Sequence, residues 1–326
     1  MCGPFVHQID PIIGDIGGVY LWWYGASYTF GFLGAFLWIR RVRVSLEFDR
    51  YAVYGLTILL ASGVLLGGRF VEVAFYEWSY YREHLWQIPA IWLGGMSTHG
   101  ILLGAAIGVW IFCRSFGKNF LSVADELAIA GAWIMGLGRI GNFIDGQIAG
   151  SITEVCWAVQ FPDLEGFRHP VVLYDGIKNL LLVPVLLFIR SRRPPPGVVF
   201  GNFVFWYGFL RIFVDFFREY RTEFIGFPPG QEFNILMSVL GLGLLVWAYR
   251  FQRVQDTPRS AASSLETRRD ATWIQRITLI ALMAIPLVIP SDWTQDVPER
   301  YGARHEGLKY SELYPRIPES LIPDGP

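Results

Sequence analysis

Residues 121–144 read LSVADELAIAGAWIMGLGRIGNFI, and the only charged residues in this stretch are Asp125, Glu126 and Arg139. A helix needs roughly 20 apolar residues to cross the hydrocarbon core of a bilayer. Lipid offers the backbone no water to hydrogen-bond, so a run of this length and character is predicted to be a transmembrane helix.

The same stretch contains the string G-x-G-x-x-G at Gly136, Gly138 and Gly141. That string indicates a dinucleotide site only when it follows a strand, opens a helix and precedes an acidic residue by about 20 positions. Here the preceding apolar segment is too long and too rich in alanine for a strand, and the residues that follow do not begin a helix. The acids at the nominal distance, Asp163 and Glu165, lie in a polar loop. The dinucleotide interpretation is therefore rejected.

The composition extends the membrane prediction to the whole chain of 326 residues. Hydrophobic residues make up 53% and charged residues only 17%, whereas soluble domains carry about 25% charged residues. No segment alternates with the period of two that is typical of a membrane β-barrel. Eight apolar segments are predicted to be helices: 18–39, 51–75, 92–113, 121–144, 171–190, 197–216, 231–249 and 273–290.

These segments predict an all-α integral membrane protein with a seven-helix transmembrane core. The eighth segment contains Arg276, Pro286 and Pro290, so a transmembrane and an interfacial helix both remain open for it. Glycine pairs at a spacing of four, Gly63 with Gly67 and Gly104 with Gly108, predict close helix packing. The predicted divisions are a transmembrane domain (1–250), a linker (251–272), an extra hydrophobic helix (273–290) and an extended outer tail (291–326).

Basic residues predict the orientation of the chain in the membrane, because cytoplasmic connectors are enriched in Lys and Arg. Arginines follow the first, third, fifth and seventh segments, whereas the first 17 residues contain neither Lys nor Arg. We therefore expect the N-terminus outside, the linker in the cytoplasm and the tail outside. The cysteines and histidines have no zinc-ligand spacing and no basic stripe is present, so no metal, cofactor or nucleic-acid partner is predicted.

Ionisable side chains at membrane depth are costly, so each is a functional candidate. His99 lies at the mouth of the third segment, and an interfacial histidine bonded to the backbone is an equal alternative. Arg139 lies three residues before Asn142 and shares a helix face with it. Arg211 and Asp215 form an i, i+4 pair, for which a structural salt bridge is the simpler interpretation.

Aromatic and cationic residues near the predicted outer ends have simple alternatives too. Trp23 and Tyr24 suit an outer aromatic belt, and Arg69 could extend to the outer headgroups. Taken together, however, a histidine, several arginines and hydrogen-bonding groups at the outer leaflet predict a site for a phospholipid headgroup. Arginine suits such a site because its planar fork binds phosphate oxygens in pairs.

The stretch GRIGNFIDGQIAG at 138–150 resembles the signature of the bacterial prolipoprotein diacylglyceryl transferases, approximately G-R-x-G-N-F-x-N-x-E-x-x-G. The resemblance covers about residues 5–250 and is consistent with the family's seven-helix topology with an outer N-terminus. Further matching stretches follow in family order: WYG at 23–25, LGGR at 66–69, GGMSTHG at 94–100, RHPVVLYD at 168–175, RIFVDFFR at 211–218 and GQ at 230–231.

The resemblance implies transfer of a diacylglyceryl group from phosphatidylglycerol to the lipobox cysteine thiol of a prolipoprotein, at the outer face of the bacterial cytoplasmic (inner) membrane. Such a reaction needs a base for the thiol and positive charge for the departing phosphate. His99 is implied as the base or as the group that orients the thiol. The implied catalytic set is His99, Arg139, Arg211 and Asp215, and the implied substrate-binding set is Tyr24, Arg69, Asn142, Asp145, Gln147 and Gly150.

The chain departs from the family pattern within the signature itself. Gln147 replaces a glutamate, Asp145 replaces an asparagine, Asp215 replaces the usual glutamate, and Ile101 replaces a glycine after the histidine. Either Asp145 substitutes for the lost carboxylate, or the chemistry is weakened or changed. A relative that acts on a different acceptor and a non-catalytic phospholipid-binding protein remain alternatives. If Asp145 is an imperfect substitute, Gln147→Glu is expected to preserve or raise activity.

Overall fold

The computed structural model describes residues 4–162, 164–219, 231–251, 269–291 and 296–317. Its short strands are β1 (Phe5–Val6), β2 (Ile12–Ile16), β3 (Val19–Trp22) and β4 (Val159–Gln160). Its helices are α1 (Trp23–Val42), α2 (Arg50–Val71), α3 (Trp78–Tyr81), α4 (Thr98–Phe116), α5 (Phe120–Asp145), α6 (Val171–Ser191), α7 (Val198–Asp215), α8 (Gln231–Phe251), α9 (Trp273–Ala284) and α10 (Val297–Tyr301). A π-helical turn, Glu72–Tyr76, extends α2, and a 3-10 turn, Ile285–Val288, extends α9.

Six of these helices are long and apolar enough to cross a membrane: Arg50–Tyr76, Thr98–Phe116, Phe120–Asp145, Val171–Ser191, Val198–Asp215 and Gln231–Phe251. Helix α1 is 20 residues long but is not among the six. These seven helices match the seven predicted core segments, except that the third helix starts at Thr98 and not at residue 92, because residues 92–97 belong to the loop before it. The prediction of an all-α integral membrane protein is confirmed, and the chain is a multi-pass membrane protein.

The predicted start of the first segment is wrong by five residues. Residues 18–22 do not begin a helix, because β3 pairs with β2 in an antiparallel hairpin. The helix starts only at Trp23, where the backbone N–H bonds to the carbonyl of Pro11. Four apolar and aromatic strand residues that lead directly into an apolar helix show no separate pattern in the sequence.

Close glycine contacts join α2 to α4, as the glycine spacing predicts. A Cβ added to Gly63 would lie 2.2 Å from the carbonyl oxygen of Gly104. A Cβ on Gly104 would lie 1.9 Å from the carbonyl oxygen of Gly63. Only glycine at both positions allows the two backbones to come this close, so these residues set the separation of the helices.

Helices α1 and α5 pack side by side in opposite directions. The beginning of α1 contacts the end of α5, because a Cβ on Gly141 would lie 2.9 Å from the Cα of Tyr24. Further along α1, Gly31 packs against Ile134 of α5. This arrangement places the signature residues of α5 beside Tyr24 rather than beside the arginines at the other end of α1.

The extra helix α9 runs along α1 and α2. Near its start, Gln275 Nε2 donates to the carbonyl of Tyr51 at 3.2 Å. Near its end, Thr29 Oγ1 of α1 donates to the carbonyl of Met283 at 3.0 Å. These contacts favour alignment with the core helices over a helix lying across their ends.

The expectation of an extended outer tail is wrong for residues 296–317. Tyr301 is fully buried and packs its ring against Trp22, with ring centroids 4.9 Å apart. Tyr314 is buried beside Tyr20, to whose backbone N–H its hydroxyl bonds at 3.0 Å. Scattered tyrosines, not a continuous hydrophobic segment, hold the tail against β2 and β3. The sequence therefore contains no apolar run that predicts this packing. The predicted linker falls almost wholly on 252–268, outside the described residues.

Candidate active site in the membrane domain

The centre of the candidate site is the buried carboxylate of Asp175, the fifth residue of α6. Arg139 Nε of α5 lies 2.7 Å from Asp175 Oδ2, and Arg211 Nη1 of α7 lies 2.6 Å from the same oxygen. Lys178 Nζ lies 2.8 Å from Asp175 Oδ1. Three cations from three helices therefore converge on one carboxylate.

A second carboxylate holds Arg211 from the other side. Asp215 Oδ1 lies 3.0 Å from Arg211 Nε, and Asp215 Oδ2 accepts a hydrogen bond of 2.8 Å from Asn234 Nδ2 of α8. The structural interpretation of the Arg211–Asp215 pair is thus correct in part. Asp215 orients Arg211, and the remainder of the guanidinium group reaches Asp175.

Close packing positions Arg139 and Lys178 in the same way. Gly176 lies directly under Arg139, because an added Cβ would come within 3.0 Å of the Arg139 Cβ. The ammonium group of Lys178 lies 4.1 Å from the centre of the Tyr207 ring, a cation–π distance. Gly176 therefore fixes the position of Arg139, and the Tyr207 ring fixes the position of Lys178.

The charges of this cluster do not balance. Arg139, Arg211 and Lys178 supply three positive charges, and Asp175 and Asp215 supply two negative ones. The side chains of Arg139 and Arg211 keep 25% and 12% of their surface exposed, whereas Asp175 keeps 1%. A partly buried cluster with one surplus positive charge is suited to bind an anion, which would complete its charge pairing.

Asn142 and Tyr24 lie beside the cluster, as the predicted helix face requires. Arg139 Nη1 donates to Asn142 Oδ1 at 3.2 Å. The close contact of Gly141 with the Tyr24 backbone brings the half-buried Tyr24 to this turn of α5, where its ring packs edge-on against Tyr28.

His99 lies at the start of α4 and belongs to a neighbouring group of side chains. Its Nδ1 is 3.0 Å from the Tyr76 hydroxyl, and its ring packs against Phe233, with centroids 6.2 Å apart. Phe233 immediately precedes Asn234, which bonds to Asp215. The first turn of α8 therefore connects the histidine to the cation cluster.

Asp145 and Gln147 contact the C-terminal segment rather than the arginines. Asp145 Oδ2 accepts a bond of 3.2 Å from the Ser291 backbone N–H. Gln147 Nε2 donates to the Ser291 carbonyl at 3.2 Å and to the Tyr301 hydroxyl at 3.1 Å. Among the described residues, no ion pair or hydrogen bond joins Asp145 or Gln147 to Arg139 or Arg211. The two signature departures are therefore matched by partners in the tail.

Arg69 does not extend to the outer headgroups, and that expectation is wrong. The side chain is buried and stabilises the loop between α3 and α4. Its guanidinium group donates to backbone carbonyls of the loop and to the Tyr81 hydroxyl, with acceptors at Gln87, Ile88, Ala90, Gly94 and Gly95. Because all of its N–H donors have acceptors in the chain, Arg69 shapes the loop that precedes His99.

Gly150 lies where loop backbones pack closely together. Its N–H bonds to the carbonyl of His169 at 2.9 Å, and an added Cβ would lie 2.5 Å from the carbonyl of Phe217. The imidazole of His169 packs nearby, and its burial lowers the pKa of His169. Gly150 thus allows its own loop, the residues before α6 and the residues after α7 to meet closely.

Sequence reasoning missed Asp175, Lys178 and Asn234. Asp175 and Lys178 lie in the predicted segment 171–190, so the rule applied to Arg139 and Arg211, that ionisable groups at membrane depth are functional candidates, would have found both. Asn234 is uncharged and gave no comparable signal. Its role follows only from the contact between α7 and α8.

The membrane-spanning helices surround a partly buried cluster with surplus positive charge. These features define a class of protein, a multi-pass membrane protein with an anion-binding cluster at one end of its helices. The family model for prolipoprotein diacylglyceryl transferase matches residues 11–247, and the chain belongs to this family. The three relatives that follow all bear the name phosphatidylglycerol–prolipoprotein diacylglyceryl transferase. A protein of Nitrosomonas europaea is 38% identical over 81% of this chain and 98% of its own length. A protein of Geobacter sulfurreducens is 38% identical over 76% of this chain and 97% of its own length. One of Legionella pneumophila is 35% identical over 74% and 98%.

Proposed function

We propose that this protein is a transferase that moves the diacylglyceryl group of phosphatidylglycerol to the lipobox cysteine thiol of prolipoproteins, the first step of lipoprotein maturation. The observation that carries the proposal is the surplus positive charge around Asp175, provided by Arg139, Arg211 and Lys178. Phosphatidylglycerol has one phosphodiester charge, which would neutralise this surplus. The names of the relatives supply the same lipid and the same acceptor class.

The reaction balances without a cofactor. The thiol sulfur bonds to the glycerol carbon of the diacylglyceryl group, and the bond from that carbon to the phosphate oxygen breaks. The thiol proton leaves to a base, and glycerol phosphate departs with the electron pair of the broken bond. Negative charge on the leaving phosphate grows during this step. Fixed guanidinium groups therefore stabilise the transition state more strongly than they stabilise the bound ground-state lipid.

Each site residue then has a proposed role. Arg139 and Arg211 hold the phosphate oxygens, and Asn142, bonded to Arg139, positions the headgroup. His99 accepts the thiol proton or orients the thiol, with its Nδ1 beside the Tyr76 hydroxyl. Asp215 acts by orienting Arg211, and Tyr24 lines the site.

The proposed location is the bacterial inner membrane, with the N-terminus outside and the site toward the outer leaflet. Support comes from α1, whose last turn contains Arg40 and Arg41 and lies at the opposite end from Tyr24. Positive connectors stay in the cytoplasm, so the end that holds Arg139 is the outer one.

The test uses the purified full-length protein in detergent with phosphatidylglycerol and a synthetic lipobox peptide. Mass spectrometry should find the peptide heavier by one diacylglyceryl group, with release of glycerol phosphate in equal amount. A peptide with serine in place of cysteine is the control and should stay unmodified. Bound phosphatidylglycerol with no product from the cysteine peptide would contradict the proposal and favour a lipid-binding role.

A further inference from the structure

A second concentration of arginines lies at the opposite end of α1 from the proposed catalytic cluster. A cavity of about 200 Å³ opens between the end of α1, the start of α2 and the start of α9. Its lining includes four arginines, one tyrosine and one carboxylate: Arg40, Arg43, Arg50, Arg276, Tyr54 and Asp270. Arg40 is 12 residues beyond Tyr28, which packs against the signature helix, so the two sites are separated by about 18 Å along α1.

Among the described residues, the positive charge of this cavity is largely uncompensated. Arg50 Nη1 and Arg276 Nη2 each lie 3.5 Å from the same oxygen of Asp270, with all three side chains more than half exposed. Within the described residues, Arg40 and Arg43 have no ion pair. Four guanidinium groups against one carboxylate therefore leave the cavity short of negative charge.

The C-terminal segment supplies two of the seven residues that line this cavity, Asp270 and Arg276. Arg269 accepts a backbone bond of 3.2 Å from Tyr51 N–H, which fixes the chain before α9 against the start of α2. Thr272 then caps α9 with a reciprocal pair of hydrogen bonds to Gln275. Asp270 and Arg276 are thereby brought to the cavity, and both lie beyond residue 247, where the family match ends.

The outer surface of α9 next to the cavity is apolar. Trp273, Ile277 and Ile280 are exposed by 71%, 58% and 68%. These residues extend from the cavity along one side of α9, which runs beside the core helices. A ligand with a charged head in the cavity and acyl chains along this surface would fit both features, because lipid tails pack against apolar side chains.

We propose that this cavity binds the phosphate of an anionic membrane lipid at the leaflet opposite the catalytic cluster. The chemistry recognised is a phosphate ester between Arg40, Arg43, Arg50 and Arg276, and the apolar surface of α9 selects a lipid over a free phosphate. Its assignment to the inner leaflet rests on the orientation given under the proposed function. The bound lipid holds α9 against α1 and α2.

The experiment is native mass spectrometry of the full-length protein in detergent with phosphatidic acid as the probe and phosphatidylcholine as the neutral comparison. The variant is Arg40→Ala with Arg276→Ala. The matched control is Arg192→Ala with Arg193→Ala, two exposed arginines after α6 that do not line the cavity. The wild type and the control should retain one more phosphatidic acid molecule than the cavity variant, with no difference for phosphatidylcholine.

A soluble competitor separates the two sources of phosphate. Glycerol phosphate at the concentration of the phosphatidic acid should leave the bound lipid in place. Displacement would overturn the lipid assignment, and equal retention of phosphatidic acid by all three proteins would overturn the site. The readout is binding, so it is independent of diacylglyceryl transfer. Transfer could fail while the lipid is retained, or proceed while it is not.

Discussion

Gln147 and Ser291 hydrogen-bond reciprocally, since Ser291 Oγ donates to Gln147 Oε1 and Gln147 Nε2 donates to the Ser291 carbonyl. A residue of the family signature is thus bonded to a residue of the chain's C-terminal segment. An ionised glutamate at 147 could accept from Ser291 Oγ but could not donate to its carbonyl. The amide at position 147 therefore fits the tail that packs upon it.

Gln147→Glu should lower thermal stability and transfer activity. The substitution removes the donor to the Ser291 carbonyl and places a second carboxylate two residues from Asp145. A buried acceptor left without a partner costs about 1–3 kcal/mol. The measurements are the midpoint of thermal unfolding in detergent and the rate of transfer to a lipobox peptide.

This result would reverse the expectation drawn from the signature alone, which favoured preserved or raised activity. Gln160→Glu, on β4, is a control for the same chemical change without these partners and should cost less. Higher activity of Gln147→Glu with an unchanged unfolding midpoint would mean that the contacts with the tail do not require an amide at position 147.

Tyr301→Phe should destabilise the protein by about 1 kcal/mol, the usual worth of one buried hydrogen bond. The change removes the hydroxyl that accepts from Gln147 Nε2 and leaves the packing of the ring on Trp22 in place. In a double-mutant cycle with Gln147→Ala, the two losses should be less than additive, since they break the same bond.

Tyr310→Phe provides the matched control, because Tyr310 is in the same segment but bonds to Asp296. Its loss should add fully to that of Gln147→Ala. Full additivity for Tyr301→Phe as well would show that no coupling passes from the tail to residue 147.

Lys178→Met should raise the KM for phosphatidylglycerol more than it lowers kcat. The change removes the surplus positive charge of the cluster while the two arginines remain. A unit charge close to the phosphate contributes about 1–4 kcal/mol, depending on the effective dielectric constant, so a rise in KM of roughly 10-fold is expected. Steady-state kinetics with varied lipid measures the effect.

Lys118→Met is the control, because Lys118 is in the connector after α4 and bonds to the carbonyl of Glu47. It should leave KM within about twofold, as is usual for an exposed charge. An unchanged KM in Lys178→Met would remove Lys178 from the lipid site.

Arg69→Met should impair folding rather than lipid affinity. The substitution leaves the carbonyls of residues 87–95 without their buried donor, at a cost of several kcal/mol in total. We expect a lower yield of monodisperse protein and a lower unfolding midpoint. Arg82→Met, at an exposed arginine of the same region, should change neither. An Arg69→Met protein that is stable but binds phosphatidylglycerol weakly would restore the predicted substrate role.

The sequence predicted the helices well because each is a long apolar run, and it predicted part of the site because charge at membrane depth is conspicuous. Arg139 and Arg211 could be found in this way, and Asn142 by its position three residues after Arg139 on the same helix face. The carboxylate that unites them, Asp175, was missed although the same rule applies to it, because it lies near the start of its helix, where acids are common. The role of the tail was also beyond sequence reasoning, because isolated tyrosines such as Tyr301 show no period that predicts burial.

The most direct test of the central claim is the kcat/KM for diacylglyceryl transfer in Arg139→Gln and Arg211→Gln. Arg190→Gln is the control, because Arg190 pairs with Glu126 at the other end of α6. If the two arginines stabilise the departing phosphate, each loss should lower kcat/KM by about 100-fold or more, as the loss of one transition-state donor does. The control should stay near the wild-type value. Folded Arg139→Gln and Arg211→Gln proteins with wild-type kcat/KM would contradict the account.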